Sequence, residues 1–173
     1  MRIRRNRCHL PWQFSGRSRR ASHLKRDGDG GKRPKILCLD DQPANLQIRK
    51  LLLEQFGCEV VTVHDAQSCL LAATHEVFDL AIIDYHLAER TTGEDVARDL
   101  RACVPGMRLV MLTGDPRLPE SAEQSVDAVL RKGSSSPKDL FRLIEELVPG
   151  TTLQPRRERL NSGNSRNPDS KRE

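Results

Sequence analysis

Long apolar runs are missing from this sequence: nowhere do the roughly 18 consecutive apolar residues of a membrane-spanning helix occur. The N-terminus also lacks the apolar stretch of a secretory signal, so a soluble, cytoplasmic protein without membrane insertion is expected. Five cysteines, Cys8, Cys38, Cys58, Cys69 and Cys103, include no C-x-x-C pair and no framework spacing. That argues against a zinc site and against a disulfide scaffold, and in favour of small buried hydrophobes in a reducing compartment. No repeat of 20 to 50 residues is visible, which argues against a solenoid. A recognisable helix-turn-helix module is absent too, so nucleic acid is an unlikely partner.

What is present is unevenly charged. Residues 1–33 carry 11 Lys/Arg against 2 Asp/Glu, residues 34–149 carry 12 against 19, and residues 150–173 carry 6 against 3. The net +5 thus conceals an acidic centre between two basic ends. The first 33 residues mix Arg with Ser, Gly, His and Asn and close on Asp27-Gly28-Asp29-Gly30-Gly31, a linker composition, so a disordered basic extension is expected. Trp12 and Phe14 among arginines could instead be a nucleic-acid or membrane foothold, but a solvated basic tail is the simpler reading. An Arg-rich transit peptide fits less well, because Pro11 and Gly16 interrupt its helix. Residues 150–173, rich in Arg, Asn, Ser and Pro, read as a second disordered basic tail.

Between the tails the punctuation is regular. Short apolar runs at 35–39, 59–63, 79–84, 107–112 and 126–131 alternate with helical patterns opened by Pro43, by the residues near 66, by Thr92-Gly93, by Pro119 and by Ser136-Pro137. Strands apolar on both faces with intervening helices imply an α/β fold: a five-stranded parallel sheet, doubly wound as (βα)5. Helix four has room for only about 119–125, between Pro119 and the next strand.

Carried through that fold, Asp40, Asp41, Asp84, Thr113 and Lys132 each fall at the carboxyl end of a strand. This is the edge where open α/β sheets bind ligands. Three converging carboxylates repel one another unless a hard divalent cation such as Mg²⁺ lies among them. A carboxylate nucleophile, a metal site, a hydroxyl and an ammonium suit phosphoryl transfer, which rests on positioning and charge stabilisation. Taken singly, a strand-end Asp is as readily a helix cap and a lone Lys a solvated charge; five in register are harder to assign to structure.

The pattern resembles the receiver domain of bacterial two-component response regulators, over 34–149. The resemblance implies a strand order of 2-1-3-4-5 and makes Asp84 the phospho-accepting aspartate. Asp40 and Asp41 then hold Mg²⁺ with Asp84 and the backbone carbonyl of His86, while Thr113 and Lys132 are the switch hydroxyl and the phosphate-binding lysine. It further implies a histidine kinase or phosphotransfer protein as donor, an unknown downstream protein as partner, and a signalling module in place of an enzyme. Departures lie beside the acceptor site: Ala88 and Gly133 stand where the family usually has proline, Val129 stands at the switch aromatic, and the stretch from Thr113 to Lys132 is short. They leave the acceptor site intact and bear on the family's usual output face, formed by the fourth helix, fifth strand and fifth helix. A metal-dependent phosphatase with an aspartyl nucleophile is the competing enzyme reading, but its usual motif needs a second Asp two residues after the nucleophile, where Asp40 is followed by Asp41 and Gln42. A regulator binding nucleic acid through its basic tails is a third.

Deleting residues 1–30 should leave the melting temperature nearly unchanged, since a polar, glycine-rich segment buries too little to offset its ordering entropy. A drop of several degrees in a thermal denaturation scan would mean that the extension packs on the domain.

Overall fold

The computed structural model describes residues 32–88 and 91–155, so the expectations for the two basic tails concern residues that lie largely outside it. Five strands, β1 (Lys35–Leu39), β2 (Glu59–Val63), β3 (Leu80–Asp84), β4 (Arg108–Thr113) and β5 (Ala128–Arg131), alternate with five helices. These are α1 (Pro43–Gln55), α2 (Ala66–His75), α3 (Gly93–Cys103), α4 (Glu120–Gln124) and α5 (Pro137–Leu147). All strand pairs are parallel, in the order β2-β1-β3-β4-β5. This is the doubly wound, flavodoxin-like arrangement expected. Three strands begin one or two residues later than the apolar runs suggest, and Thr113 is the last residue of β4 instead of the first of its loop.

The two faces follow from the two-residue period of a strand. Leu37, Leu39, Ala81, Ile83, Leu109 and Met111 point to one side, where Cys69 and Ala73 of α2, Val96, Ala97 and Leu100 of α3 and Ala122 of α4 cover them. Ile36, Cys38, Leu80, Ile82, Val110 and Leu112 point to the other, under Leu46 and Leu53 of α1 and Leu140 and Ile144 of α5. The central strand β3 is buried at every position, as a strand with helices on both faces must be. Cys38, Cys58 and Cys69 are buried, and burial pushes each thiol up to about 12, so they behave as inert hydrophobes. Cys103 departs from that reading: it falls on the same face as Val96 and Leu100, yet as the last residue of α3 it is exposed.

Local signals set the helix starts. Pro43 and Pro137 occupy first-turn positions. Asp65 accepts from Ser68 N–H (2.7 Å), and capping boxes join Thr92 to Asp95 and Ser136 to Asp139. The amino edge of the sheet is tied by two carboxylates. Asp79 accepts from Lys35 N–H (2.9 Å) and pairs with Lys32; Asp127 accepts from Leu109 N–H (2.7 Å) and from Arg101 and Arg108. Contacts extend beyond 34–149 at both ends: Lys32 N–H donates to Gly150 O (3.0 Å), Thr151 is buried and Leu153 packs on the α1/α5 core.

One close approach positions the carboxyl edge. Gly93 N–H donates to Tyr85 O (2.8 Å), and a Cβ at Gly93 would overlap the carbonyl oxygen of Asp84 and come within 2.9 Å of Tyr85 Cα. Both are backbone atoms and cannot rotate aside. Gly93→Ala should therefore cost about 1–3 kcal/mol, the usual range for overpacking, read as a lower urea midpoint at unchanged slope. Its largest amide shifts should fall at Asp84 and Tyr85; an unchanged midpoint would show that α3 can retreat freely.

Candidate functional site

The carboxyl edge of the sheet collects the residues singled out in the sequence. Asp40 and Asp41 follow β1 directly, Asp84 and Thr113 end β3 and β4, and Lys132 follows β5. Register holds them level: Leu39 lies beside Ile83, Asp84 beside Leu112 and Thr113 beside Arg131. Carboxylate oxygens of Asp40, Asp41 and Asp84 all lie within 4.8 Å of one another. Lys132 Nζ reaches Asp84 Oδ2 at 2.6 Å and Asp40 Oδ2 at 3.7 Å.

The two buried carboxylates differ in their partners. Asp40, with no exposed surface, accepts from Gln42 N–H (3.0 Å) and Asn45 Nδ2 (3.1 Å) on Oδ1, and from Arg49 Nη2 (3.1 Å) on Oδ2. Burial alone would raise its pKa, but these bonds together outweigh burial and hold the carboxyl below its ordinary value. Asp84 is shifted the other way: burial, helped by the charge of Asp40, raises its pKa in spite of the Lys132 ammonium. Its Oδ1 is buried with no hydrogen-bond partner among the described residues.

Such an oxygen is costly unless something polar or charged meets it. Three carboxylates of which one keeps a whole acceptor oxygen fit a hard, oxygen-ligated divalent cation, and Mg²⁺ matches the one-or-two-carboxylate sites that also bind phosphoryl oxygens. Asp40, Asp41 and Asp84 are thus the residues that could hold it.

Thr113 is fully buried, and its Oγ1 accepts from Asp115 N–H (3.0 Å) while its carbonyl accepts from Lys132 N–H (2.6 Å). The backbone thereby couples the threonine to the lysine. His86 lies two residues beyond β3, in a loop closed by an isolated bridge to Thr92. Its ring is exposed, set edge-on to Tyr85 and 3.9 Å from Asp115 Oδ2. Gly133, in place of a proline, takes a positive φ of 87° at the turn after Lys132, a conformation a side chain would strain. Two site residues escaped the sequence reading, Asn45 and Arg49. Arg49 did leave a signal, for it lies between Leu46 and Leu53 at i+3 and i−4, inside the apolar stripe of α1.

Known proteins share this fold. The profile described as the response regulator receiver domain matches residues 36–145. Among relatives, the sensor protein GacS of Pseudomonas syringae pv. syringae is 43% identical over 54 residues, 31% of this chain and 6% of GacS. The alginate biosynthesis transcriptional regulatory protein AlgB of Pseudomonas aeruginosa is 33% identical over 98 residues, 57% of this chain and 21% of AlgB. The chain therefore spans a small part of these relatives. Among solved structures, a CheY-like response regulator receiver domain protein from Methanospirillum hungatei superposes with a TM-score of 0.62 at 30% identity, covering 68% of this chain and 94% of that one. The response regulator TrrA of Thermotoga maritima, solved in complex with Mg²⁺ and BeF, shares the fold at 23% identity and a TM-score of 0.61, covering 66% and 98%. A match running from β1 into α5, on a sheet of the same strand order, makes this chain a member of the response regulator receiver domain family.

Proposed function

We propose that the chain is a phospho-accepting response regulator: Asp84 takes a phosphoryl group from a histidine kinase or phosphotransfer protein, and the phosphorylated domain signals by binding another protein. The observation that carries this reading is Asp84 itself, buried at the carboxyl edge with one oxygen on Lys132 and the other without a hydrogen-bond partner among the described residues. A structural aspartate would be saturated, as Asp79 and Asp127 are at the opposite edge. In this reading residues 34–149 are the signalling unit, acting in the cytoplasm, and the basic stretches 1–33 and 150–173 flank it.

A carboxylate oxygen of Asp84 attacks the phosphorus of the donor, the bond from phosphorus to the donor histidine nitrogen breaks, and an acyl phosphate forms. Burial alone disfavours the ionised nucleophile, and Lys132 opposes that by its charge. Mg²⁺, held by Asp40, Asp41, Asp84 and the His86 carbonyl, would neutralise developing charge on the phosphoryl oxygens. Lys132 stays close enough to pair with the product phosphoryl group, and Thr113 can turn its hydroxyl from Asp115 N–H to donate to a phosphoryl oxygen.

Incubation with Mg²⁺ and a small phosphodonor should give a base-labile mass gain of one phosphoryl group. Asp84→Asn or removal of Mg²⁺ should abolish it. Incorporation by the Asn variant at the wild-type rate would rule out Asp84 as acceptor.

A second expectation concerns the output. Val129, half-buried in β5, is too short and too stiff at χ1 to exchange places with a moving Thr113 as a ring would. The bonds leaving Thr113 are polar and short-range: Asp115 N–H to its hydroxyl, then Arg131 Nη1 to Asp115 O (2.7 Å) and Arg131 Nη2 to Glu123 of α4 (3.4 Å). A beryllofluoride mimic should therefore shift amide resonances of residues 85–88 and 113–119 strongly and those of 137–147 weakly. Equal shifts in α5 would show that another relay replaces the ring.

A further inference from the structure

Arg49 is a charged residue in a core position. It completes the inward stripe of α1 with Leu46 and Leu53, and its side chain is 9% exposed. Any apolar residue there would pack without the desolvation penalty of a guanidinium. The bond it makes in return is with Asp40 Oδ2, the oxygen that also lies 3.7 Å from Lys132 Nζ. Its second terminal nitrogen, Nη1, is buried with no hydrogen-bond partner among the described residues, so the planar fork is half used. Asp40 already accepts from Gln42 N–H and from Asn45, so the fold does not need Arg49 to satisfy that carboxylate. What Arg49 uniquely adds is a permanent positive charge, since a guanidinium does not deprotonate.

With Lys132 alone, three carboxylates leave a formal charge of −2; with Arg49 as well they leave −1. We infer that Arg49 is a resident counter-cation of the acidic site, which holds Asp40 in place without a metal and weakens the site's affinity for Mg²⁺. The inference rests on the reading of Asp40, Asp41 and Asp84 as the cation site. Two consequences follow from charge alone. A divalent cation entering a site already two-thirds neutralised gains less Coulomb energy. Because the carboxylates are compensated beforehand, folding of the wild-type chain depends little on the metal, and binding adds little to its stability.

A structural role and a counter-charge role give opposite signs for one measurement. If Arg49 merely orients a metal ligand, its loss loosens Mg²⁺ binding; if it offsets the site's charge, its loss tightens it. The test compares the full wild-type chain with Arg49→Met, which keeps the length and removes the charge, and Arg49→Lys, which keeps the charge. Mg²⁺ binding is read by calorimetric titration, and thermal denaturation is recorded without and with saturating Mg²⁺. Arg49→Met should bind Mg²⁺ about tenfold or more tightly, show a larger rise in melting temperature on Mg²⁺ addition, and start from a lower value without it. Arg49→Lys should stay near wild type in affinity. If Arg49→Met is unfolded without the cation, recovery of its circular dichroism on Mg²⁺ addition supports the inference, and failure to recover overturns it. A folded Arg49→Met that binds Mg²⁺ as weakly as wild type, or more weakly, also overturns it. No binding by wild type or by either variant would count against the cation site itself, whereas binding that the Met substitution leaves unchanged sinks only the role of Arg49.

Discussion

Like charge brought together at one edge of a sheet is the constraint on which this structure turns. Parallel strands deliver Asp40, Asp41 and Asp84 to the same end because every crossover returns the chain in the same direction. The resulting repulsion is met from three directions: Lys132 from the end of β5, Arg49 from inside α1, and amide donors from Gln42 and Asn45 at the start of that helix. None of these reaches Asp84 Oδ1. Compensation is complete around Asp40 and incomplete around Asp84, and the two pKa values move in opposite directions for that reason.

The opposite edge of the sheet shows what a carboxylate does when it serves only the fold. Asp79 and Asp84 stand at either end of one apolar run, yet Asp79 is tied to a backbone N–H and to Lys32, while Asp84 keeps a buried oxygen open. Asp127 likewise joins β4 to two arginines. Direction of the strand thus sorts chemically identical side chains into staples and site residues. The sorting also needs α3 to begin hard against Tyr85, which only a residue without Cβ permits at position 93.

Much of this was legible because it is periodic or local. Apolar runs bounded by Gly and Pro located the strands to within one or two residues, and Thr92, Ser136 and Pro137 marked helix starts by chemistry that acts over three or four positions. The three carboxylates were legible as soon as the strand direction was known. Arg49 and Asn45 were not, because their significance depends on how α1 rolls onto the sheet, and an arginine within an apolar stripe reads equally well as a stem reaching for solvent. Cys103 failed for another reason: composition says that cysteine tends to be buried, while this one ends α3 and is exposed there.

The output side is where sequence pattern and packing leave the least shared burial. Every residue of β5 is only half covered, α4 has five residues, and Ala122 is its one buried side chain. An edge strand covered this thinly has little apolar surface with which to pass a displacement on, since coupling through a core requires two discrete packings of close-fitting side chains. The polar links from Thr113 through Asp115 to Arg131 and Glu123 are half-exposed, so water competes for each of them. A change at Asp84 therefore meets rigid packing toward β1 and β4, whose residues are buried throughout the sheet's centre, and soft polar contacts toward α4. The physical route of least resistance from the acidic site is a rearrangement of the loops after β3 and β4, the same loops that frame the mouth of the site.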